Sequence, residues 1–516
     1  MRCARSRGGL NLLSPGTETE PSVSYADLLP TDQWLVHWFS IARVVGLFSI
    51  MFSLTLLVPI GVAFAYGEAE IRHFLYPLAG SLGMGLVLWL IGRLRPPNLG
   101  TRDGFLIVAL FWVLLSLLGA WPLVLSAHLS LLDAIFESTS GVTTTGSTVM
   151  TVLDALPKSL LFYRQQLQWL GGMGLIVLGV AVLPMLGIGG MQLYRAEAPG
   201  PLKDEKLTPR LAHTARALWA IYLALTIACA FGYWISGMDL FDAVAHSLST
   251  LSTGGFSTHD ASIGYFQSPA IEAVAIVFML LAAINFGVHF IVLHGKDPLH
   301  YIRDVEARSF LLFVLLIVAA VIVTLRFEGT YDGLSPSFRN AAFVVVSVVT
   351  STGFGTADFS GWPDFLPLLL IFISFVGGCG GSTAGGMKVM RVLLLVRQGT
   401  REVRALVHPH AYQPVRLGNR IVDERLMQSI WGFFAVYTAT FALLVLLMMH
   451  AGLDQVSAFS AIATCMNNLG PGLGTVAYNF QGVTDLGKVL AVLAMLLGRL
   501  EIFTLLVLLS PHFWKR

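Results

Sequence analysis

Four short polar runs interrupt a chain that is otherwise largely apolar. They are Val142-Thr143-Thr144-Thr145-Gly146-Ser147, Thr250-Leu251-Ser252-Thr253-Gly254-Gly255-Phe256, Thr350-Ser351-Thr352-Gly353-Phe354-Gly355 and Asn467-Asn468-Leu469-Gly470-Pro471-Gly472. Gly146, Gly254, Gly353 and Gly470 recur at intervals of roughly one hundred residues, which marks an internal repeat. What these runs offer is backbone carbonyls and hydroxyls. A ring of carbonyl oxygens replaces the hydration shell of an alkali cation in a potassium filter. Pointing successive carbonyls the same way needs positive φ, which glycine adopts at least cost. The expected coordinating backbone runs over Val142 to Gly146, Thr250 to Gly254, Thr350 to Gly353 and Asn467 to Gly470, so any metal is held by carbonyls alone. The ion is cargo, and no bound cofactor is expected.

Two further features bear on passage through such a ring. One is the run Gly377-Gly378-Cys379-Gly380-Gly381-Ser382-Thr383-Ala384-Gly385-Gly386, followed by Met387 and Lys388. Each interior glycine costs a helix about 1 kcal/mol, so this run is expected to be unwound, and unwound backbone at membrane depth must line a cavity or be buried in protein. It fails as a phosphate loop because Gly386 stands where the lysine should follow Gly385. The other is Arg499, placed near the middle of the last apolar span. An arginine at that depth marks a functional site by default, and the alternative is a buried structural ion pair. Glu501 lies off its helix face. Lys388 fits either an inner mouth or an ordinary cytoplasmic interface.

The elements that must position these residues follow from length. Each polar run is preceded by an amphipathic stretch of about ten residues: Asp133 to Ser140, Asp239 to Ser249, Asn340 to Val349 and Ser457 to Met466. That is half of the about 20 residues a bilayer crossing needs. A half-helix, a polar run and a full apolar helix together describe a re-entrant loop. The chain of 516 residues is 55% hydrophobic and 12% charged, with mean hydropathy +0.73. Soluble proteins carry about 25% charged residues, so this is an all-α polytopic membrane protein of about ten spans.

Along the chain, residues 1–33 read as a disordered cytoplasmic tail and 34–100 as two leading spans, Phe39 to Tyr66 and Phe74 to Leu94. Residues 101–200, 201–300, 301–410 and 411–516 read as four helix–loop–helix repeats in pseudo-four-fold arrangement. The expected spans are Phe105 to Leu125 and Leu167 to Leu193, then Ala217 to Ile235 and Ile271 to Leu293. Repeat three has Phe310 to Leu325 and Pro363 to Val396; repeat four has Ile430 to Met449 and Leu486 to Leu509. Cys3, Cys229, Cys379 and Cys465 lack metal or disulfide spacing. No HExxH-type pattern involves His37, His128, His246, His259 or His289.

Lys and Arg set the orientation. One set of connections holds Arg93, Arg95 and Arg102, the cluster from Arg195 to Arg216, then Lys296, Arg303 and Arg308, the stretch from Lys388 to Arg425, and Lys515 with Arg516. The opposite set holds Arg72, Lys158, Arg164 and Arg339. The positive-inside rule puts both termini in the cytoplasm and brings all four loops in from outside. Acidic residues, Glu137 among them, crowd the outer side, where Asp133, Asp239 and Asp454 are expected to cap the half-helices. The large basic connections suit lipid headgroups.

These motifs resemble the TrkH family, the membrane subunits of bacterial Trk potassium uptake systems, in the superfamily that includes KtrB. The resemblance runs from about Trp34 to the end. It rests on the four loops, the run Tyr194 to Pro201 leading to Lys206 to Arg210, the Gly377 to Lys388 run, and Gly498-Arg499-Leu500-Glu501. It implies an inner-membrane K+ uptake protein, with K+ preferred because all four filter positions are glycine. It implies that Gly377, Gly378, Gly380, Gly381, Ser382, Thr383, Gly385 and Gly386 form an intramembrane gate, with Lys388 and Arg499 beside it. It also implies a homodimer and docking of a TrkA-type nucleotide-binding regulatory subunit, with no nucleic-acid partner. Two alternatives remain at this point: a Na+-permeable or poorly selective relative, and a polytopic membrane enzyme, which would need a catalytic pair at one depth.

Overall fold

A computed structural model of the chain describes residues 31–95, 101–177, 211–363, 365–411, 413–418 and 420–514. Residues 1–30, the Tyr194 to Arg210 run and the two terminal basic residues therefore lie outside the described residues. What is described is helical, apart from loops and one antiparallel pair of two-residue strands, Arg416–Leu417 with Arg420–Ile421.

Among the described residues, six helices are long and apolar enough to cross a membrane unbroken. They are Trp38–Tyr66, Ile71–Gly92, Arg102–Ser126, Arg216–Ile235, Val305–Phe327 and Glu424–His450. These are the two leading spans and the first helix of each repeat. The second helices differ. Lys158–Val177 begins well before the expected Leu167, so Arg164, Gln165 and Gln166 lie inside the helix rather than in an outer loop. In repeat two, Pro269–Ala283 and Phe286–Gly295 meet at 98°. In repeat three, Phe365–Ser374 and Val389–Val407 are separated by the glycine run, which is unwound. In repeat four, Asp485–Arg499 and Phe503–Leu509 are separated by Leu500 to Ile502. Arg499 thus closes a helix at a break, which corrects its expected place inside a continuous span.

The half-helices are Leu131–Val142, Leu240–Leu251, Leu334–Val349 and Gln455–Asn467. Asp239 and Asp454 cap theirs as expected, accepting from Asp242 N and from Val456 N and Ser457 N. In the first, the cap is Ser130, not Asp133; Asp133 sits in the first turn and accepts from Ser130 Oγ at 2.8 Å and Lys488 Nζ at 2.6 Å. A carboxylate there also meets the positive end of the helix dipole. Four apolar clusters hold the elements: one joins repeats two and three, one the leading helices and repeat one, one repeat four, and a small one joins Val389–Val407 to the start of Glu424–His450.

A candidate ion pathway built from four loops

All four half-helices end in the same way. Within two residues of each helix end one residue adopts a left-handed conformation, with φ of 57° at Thr144, 51° at Thr253, 53° at Ser351 and 50° at Asn468. Its N–H bonds to the carbonyl three residues back: Gly141, Thr250, Val348 and Cys465. The next N–H, of Thr145, Gly254, Thr352 or Leu469, reaches five residues back at 2.8–2.9 Å. This pair of bonds is the Schellman motif, which satisfies carbonyls orphaned at a helix end. Thr and Ser occupy a left-handed position normally left to Gly or Asn, so three of the four caps carry strain. The expectation that glycine alone supplies positive φ is corrected on this point.

Two residues on, a second left-handed position is glycine in every loop: Gly146 (φ 84°), Gly255 (81°), Gly353 (80°) and Gly470 (104°). The counterpart of Gly146 in loop two is therefore Gly255, not Gly254. The adjacent glycines conceal this register in the sequence, and the helix ending reveals it.

These glycines interlock the loops in a ring. A Cβ placed on Gly146 would lie 2.2 Å from the Gly254 carbonyl oxygen. On Gly255 it would lie 2.0 Å from Thr352 O, on Gly353 2.0 Å from Leu469 O, and on Gly470 2.8 Å from Thr145 O. Each glycine thus sits against the carbonyl of the residue before the equivalent glycine in the next loop, in the order one, two, three, four and back to one. No side chain fits at this approach. Ser147 Oγ donates to Gly470 O at 2.9 Å and Asn468 Nδ2 to Thr145 Oγ1 at 2.9 Å, closing the ring between loops four and one. The remaining expected residues lie at the helix ends beneath. Val142, Thr143, Thr250, Leu251, Ser252, Thr350 and Asn467 are all buried. Thr143 and Thr145 share a hydroxyl contact of 2.8 Å, as do Thr350 and Thr352.

The unwound run lies directly against these helix ends. Thr383 Oγ1 donates to Leu251 O at 3.0 Å, and Gly385 N to Ser351 Oγ at 2.6 Å. A Cβ on Gly385 would meet Asn467 O at 2.0 Å. Gly380 N donates to Glu306 Oε1 at 2.7 Å, Cys379 N to Ala283 O at 2.9 Å, and Phe286 N to Gly381 O at 3.1 Å. Ser382 Oγ turns back to Cys379 O. Gly377, Gly378 and Gly386 form the base, where Met387 N bonds to Phe375 O and Val389 N to Gly378 O. Arg499 reaches in from the break in repeat four: its guanidinium donates to Thr383 O at 3.0 Å and Gly171 O at 3.1 Å and lies 5.4 Å from the Trp112 ring centroid. Lys388 is buried, and its ammonium turns back onto Ala384 O. It occupies no ordinary cytoplasmic interface.

Several residues that hold this assembly escape sequence reasoning. Glu137, assigned to the acidic outer mouth, is fully buried and paired with buried Arg164 at 2.8 Å. It also accepts from Thr148 Oγ1 and Val149 N, which fixes the outer limb of loop one. Glu501 pairs with Arg391 across the break in repeat four. Gln168 reaches loop two. The signal available for Arg164 and Gln168 was a polar run, Arg164-Gln165-Gln166-Leu167-Gln168, inside an apolar helix.

The fold and the loops define a polytopic membrane protein of four re-entrant repeats closed around one axis. The profile of the TrkH family, described as a cation transport protein, matches residues 82–516. The chain is 49% identical over 482 residues to the Trk system potassium uptake protein TrkH of Salmonella typhimurium strain LT2, covering 93% of this chain and 100% of the relative. It is 50% identical over 480 residues to the protein of that name from Vibrio parahaemolyticus, covering 92% and 99%. The crystal structure of the potassium transporter TrkH from Vibrio parahaemolyticus matches with a TM-score of 0.85 at 47% identity, covering 92% of this chain and 99% of that one. The chain belongs to the TrkH family, whose members transport cations, and the membrane-enzyme alternative falls with that.

Proposed function

We propose that this chain takes up K+ through the ring formed by its four loops. The observation that carries the proposal is the cyclic interlock, in which each left-handed glycine seats the carbonyl of the next loop. Such a ring offers one backbone carbonyl from each loop, the kind of oxygen by which a filter replaces a hydration shell. The four helix C-termini, each with partial negative charge, converge on the same axis and favour a cation. The relatives, named as Trk system potassium uptake proteins, support K+ as the cargo rather than Na+ or an unselective mixture.

The run from Gly377 to Gly386 acts as the gate and Arg499 as its positive latch, a reading supported by the packing of the run against the ends of the half-helices and by the bond from Arg499 to Thr383 O. The relatives' names speak of a system, which supports further components. The partner we assign is a TrkA-type nucleotide-binding subunit docked on the basic face, with the chain a homodimer in the bacterial inner membrane.

Rescue of cells lacking their own K+ uptake tests the proposal, comparing the native chain with Gly146→Ser in K+ and Na+ media. Rescue by the native chain with weakened K+ over Na+ discrimination in the variant is the expected result. No uptake of either ion, with the protein present in the membrane and a TrkA-type partner supplied, overturns it. Co-purification with that partner tests the assembly.

A further inference from the structure

Loop two lacks the side chain that its neighbours use to brace themselves. In loops one and three, the hydroxyl of the residue before the left-handed cap (Thr143 or Thr350) bonds back to a helix carbonyl at 2.7 Å. It also touches the threonine two residues on, Thr145 or Thr352, at 2.8 Å. In loop two Ser252 makes the same backward bond, to Leu248 O at 2.8 Å. The place of the second threonine is taken by Gly254.

Gln168, from the helix Lys158–Val177 of repeat one, occupies that place. A Cβ on Gly254 would lie 2.4 Å from its amide carbon. The side chain is fully buried. Its Nε2 donates to Gly254 O at 2.6 Å, and its Oε1 accepts from Ser249 Oγ at 2.6 Å and Phe256 N at 3.1 Å. The backbone N–H of Phe256 can only donate, which fixes the orientation of the amide. Gln168 therefore clasps loop two on both sides of its ring carbonyl. That carbonyl is the counterpart of those of Thr145, Thr352 and Leu469.

We propose that Gln168 is a selectivity-determining positioning residue, an intramolecular substitute for the missing threonine that holds the Gly254 carbonyl in place and occupies one of its two lone pairs. A carbonyl held this way cannot swing inward to follow a smaller cation, and its field is weaker than that of an oxygen without a donor. The quadrant formed by loop two thus discriminates by rigidity rather than by field strength. The inference rests on the proposed role of the loops as a cation filter.

Four variants of the full chain test it in cells lacking their own K+ uptake, with the Na+ concentration that half-inhibits Rb+ uptake as the readout. Membrane abundance and monodispersity after detergent extraction are followed in parallel. Gln168→Met keeps the length and volume but removes the hydrogen bonds. It should lower the half-inhibiting Na+ concentration about tenfold, the scale set by loss of a buried hydrogen bond, with abundance unchanged. Gly254→Thr should fail on its own because Gln168 fills its space. The double variant Gln168→Ala with Gly254→Thr lets the introduced hydroxyl pair with Ser252 as the threonines of the neighbouring loops pair with each other. It should return to within about threefold of the native value, a non-additive recovery expected only of residues in contact. Unchanged discrimination in Gln168→Met, or a double variant no better than Gly254→Thr alone, overturns the proposal. Gly353→Ser, run beside them, separates the two levels. If it alters discrimination while the Gln168 series does not, only the role of Gln168 falls. If it also leaves discrimination unchanged, the filter reading falls with it.

Discussion

Gly353 and Gly355 flank the same phenylalanine, yet only the first meets a geometric demand. Gly353 has φ 80°, and a Cβ there would meet Leu469 O at 2.0 Å, whereas nothing lies within 4 Å of a Cβ on Gly355. Gly353→Ala combines a left-handed penalty of roughly 1–2 kcal/mol with a clash against backbone that cannot give way. It should reduce Rb+ uptake by at least about tenfold, while Gly355→Ala leaves uptake at the native level. Equal effects of the two would contradict the interlocking ring. The pair also shows where single residues were legible. Repeat spacing pointed to Gly146, Gly353 and Gly470 because none of them has a glycine beside it in the sequence. Gly254 and Gly255 could not be separated without knowing which N–H closes the helix. Glu137 and Arg164 were read as surface charges because nothing local tells a carboxylate at an outer mouth from one buried against a guanidinium. Breaking one partner of such a pair is costly because it leaves a buried charge uncompensated.

Elements were most legible where composition forces a conformation. The glycines from Gly377 to Gly386 announce an unwound segment, whereas the bend at Ile284 and Asn285 and the break at Leu500 to Ile502 contain no helix breaker. Both are imposed by tertiary contacts: Phe286 N bonds to Gly381 O, and Arg499 is drawn to Thr383 O and Gly171 O. Both breaks face the glycine run. Arg499→Ala removes two donors from buried carbonyls and loosens the run, so K+ leak in proteoliposomes without the regulatory partner should rise about tenfold; unchanged or lower leak in well-folded protein counts against the latch. On the outer side, His259 joins repeat one to half-helix two, paired with Asp154 and lying 3.2 Å from Asp242 Oδ2. Burial pulls the imidazole down, but hydrogen bonds and charge from Asp242 and Asp154 outweigh it and hold His259 above its ordinary 6.5. The hydrogen bond from His259 holds Asp154 below its ordinary 3.8. The contribution of protonated His259 is fully present below pH 6.5 and is lost as pH rises through its raised value. That of Asp154 is present above pH 3.8 and is lost as pH falls through its lowered value. Asp154 is about half exposed, so the tie is worth at most about 1 kcal/mol. The melting temperature in detergent should therefore fall by about 1 °C between pH 6 and pH 8.5, and His259→Gln should flatten that change. An equal fall in the variant would show that another group is responsible.

For the whole molecule, the repeat of roughly one hundred residues made the architecture readable, because each repeat restates one plan: full helix, half-helix, polar loop, second helix. The second helices are the variable part: among the described residues those of repeats two, three and four are broken. Orientation follows from charge. Arg303, Arg308 and the arginines of Val389–Val407 lie on the face away from the half-helix N-termini, while Arg326, in the last turn of Val305–Phe327, joins the smaller outer set. The Lys and Arg bias counts over short connections near span ends, which predicts that the polar loops lie outside and the basic helix Val389–Val407 in the cytoplasm. Cysteine labelling decides it. Cys229, Cys379 and Cys465 are buried and contribute little background. A cysteine at exposed Gln481, between half-helix four and its inner helix, should react with a membrane-impermeant maleimide in intact spheroplasts. One at Leu406, 86% exposed at the end of the basic helix, should react only after the membrane is opened. The reverse pattern would invert the chain, turn the ring toward the cytoplasm and leave inward K+ movement meeting the Arg499 latch before the carbonyls. Labelling of both sites in intact cells would place them on one side, which the half-helix geometry does not allow.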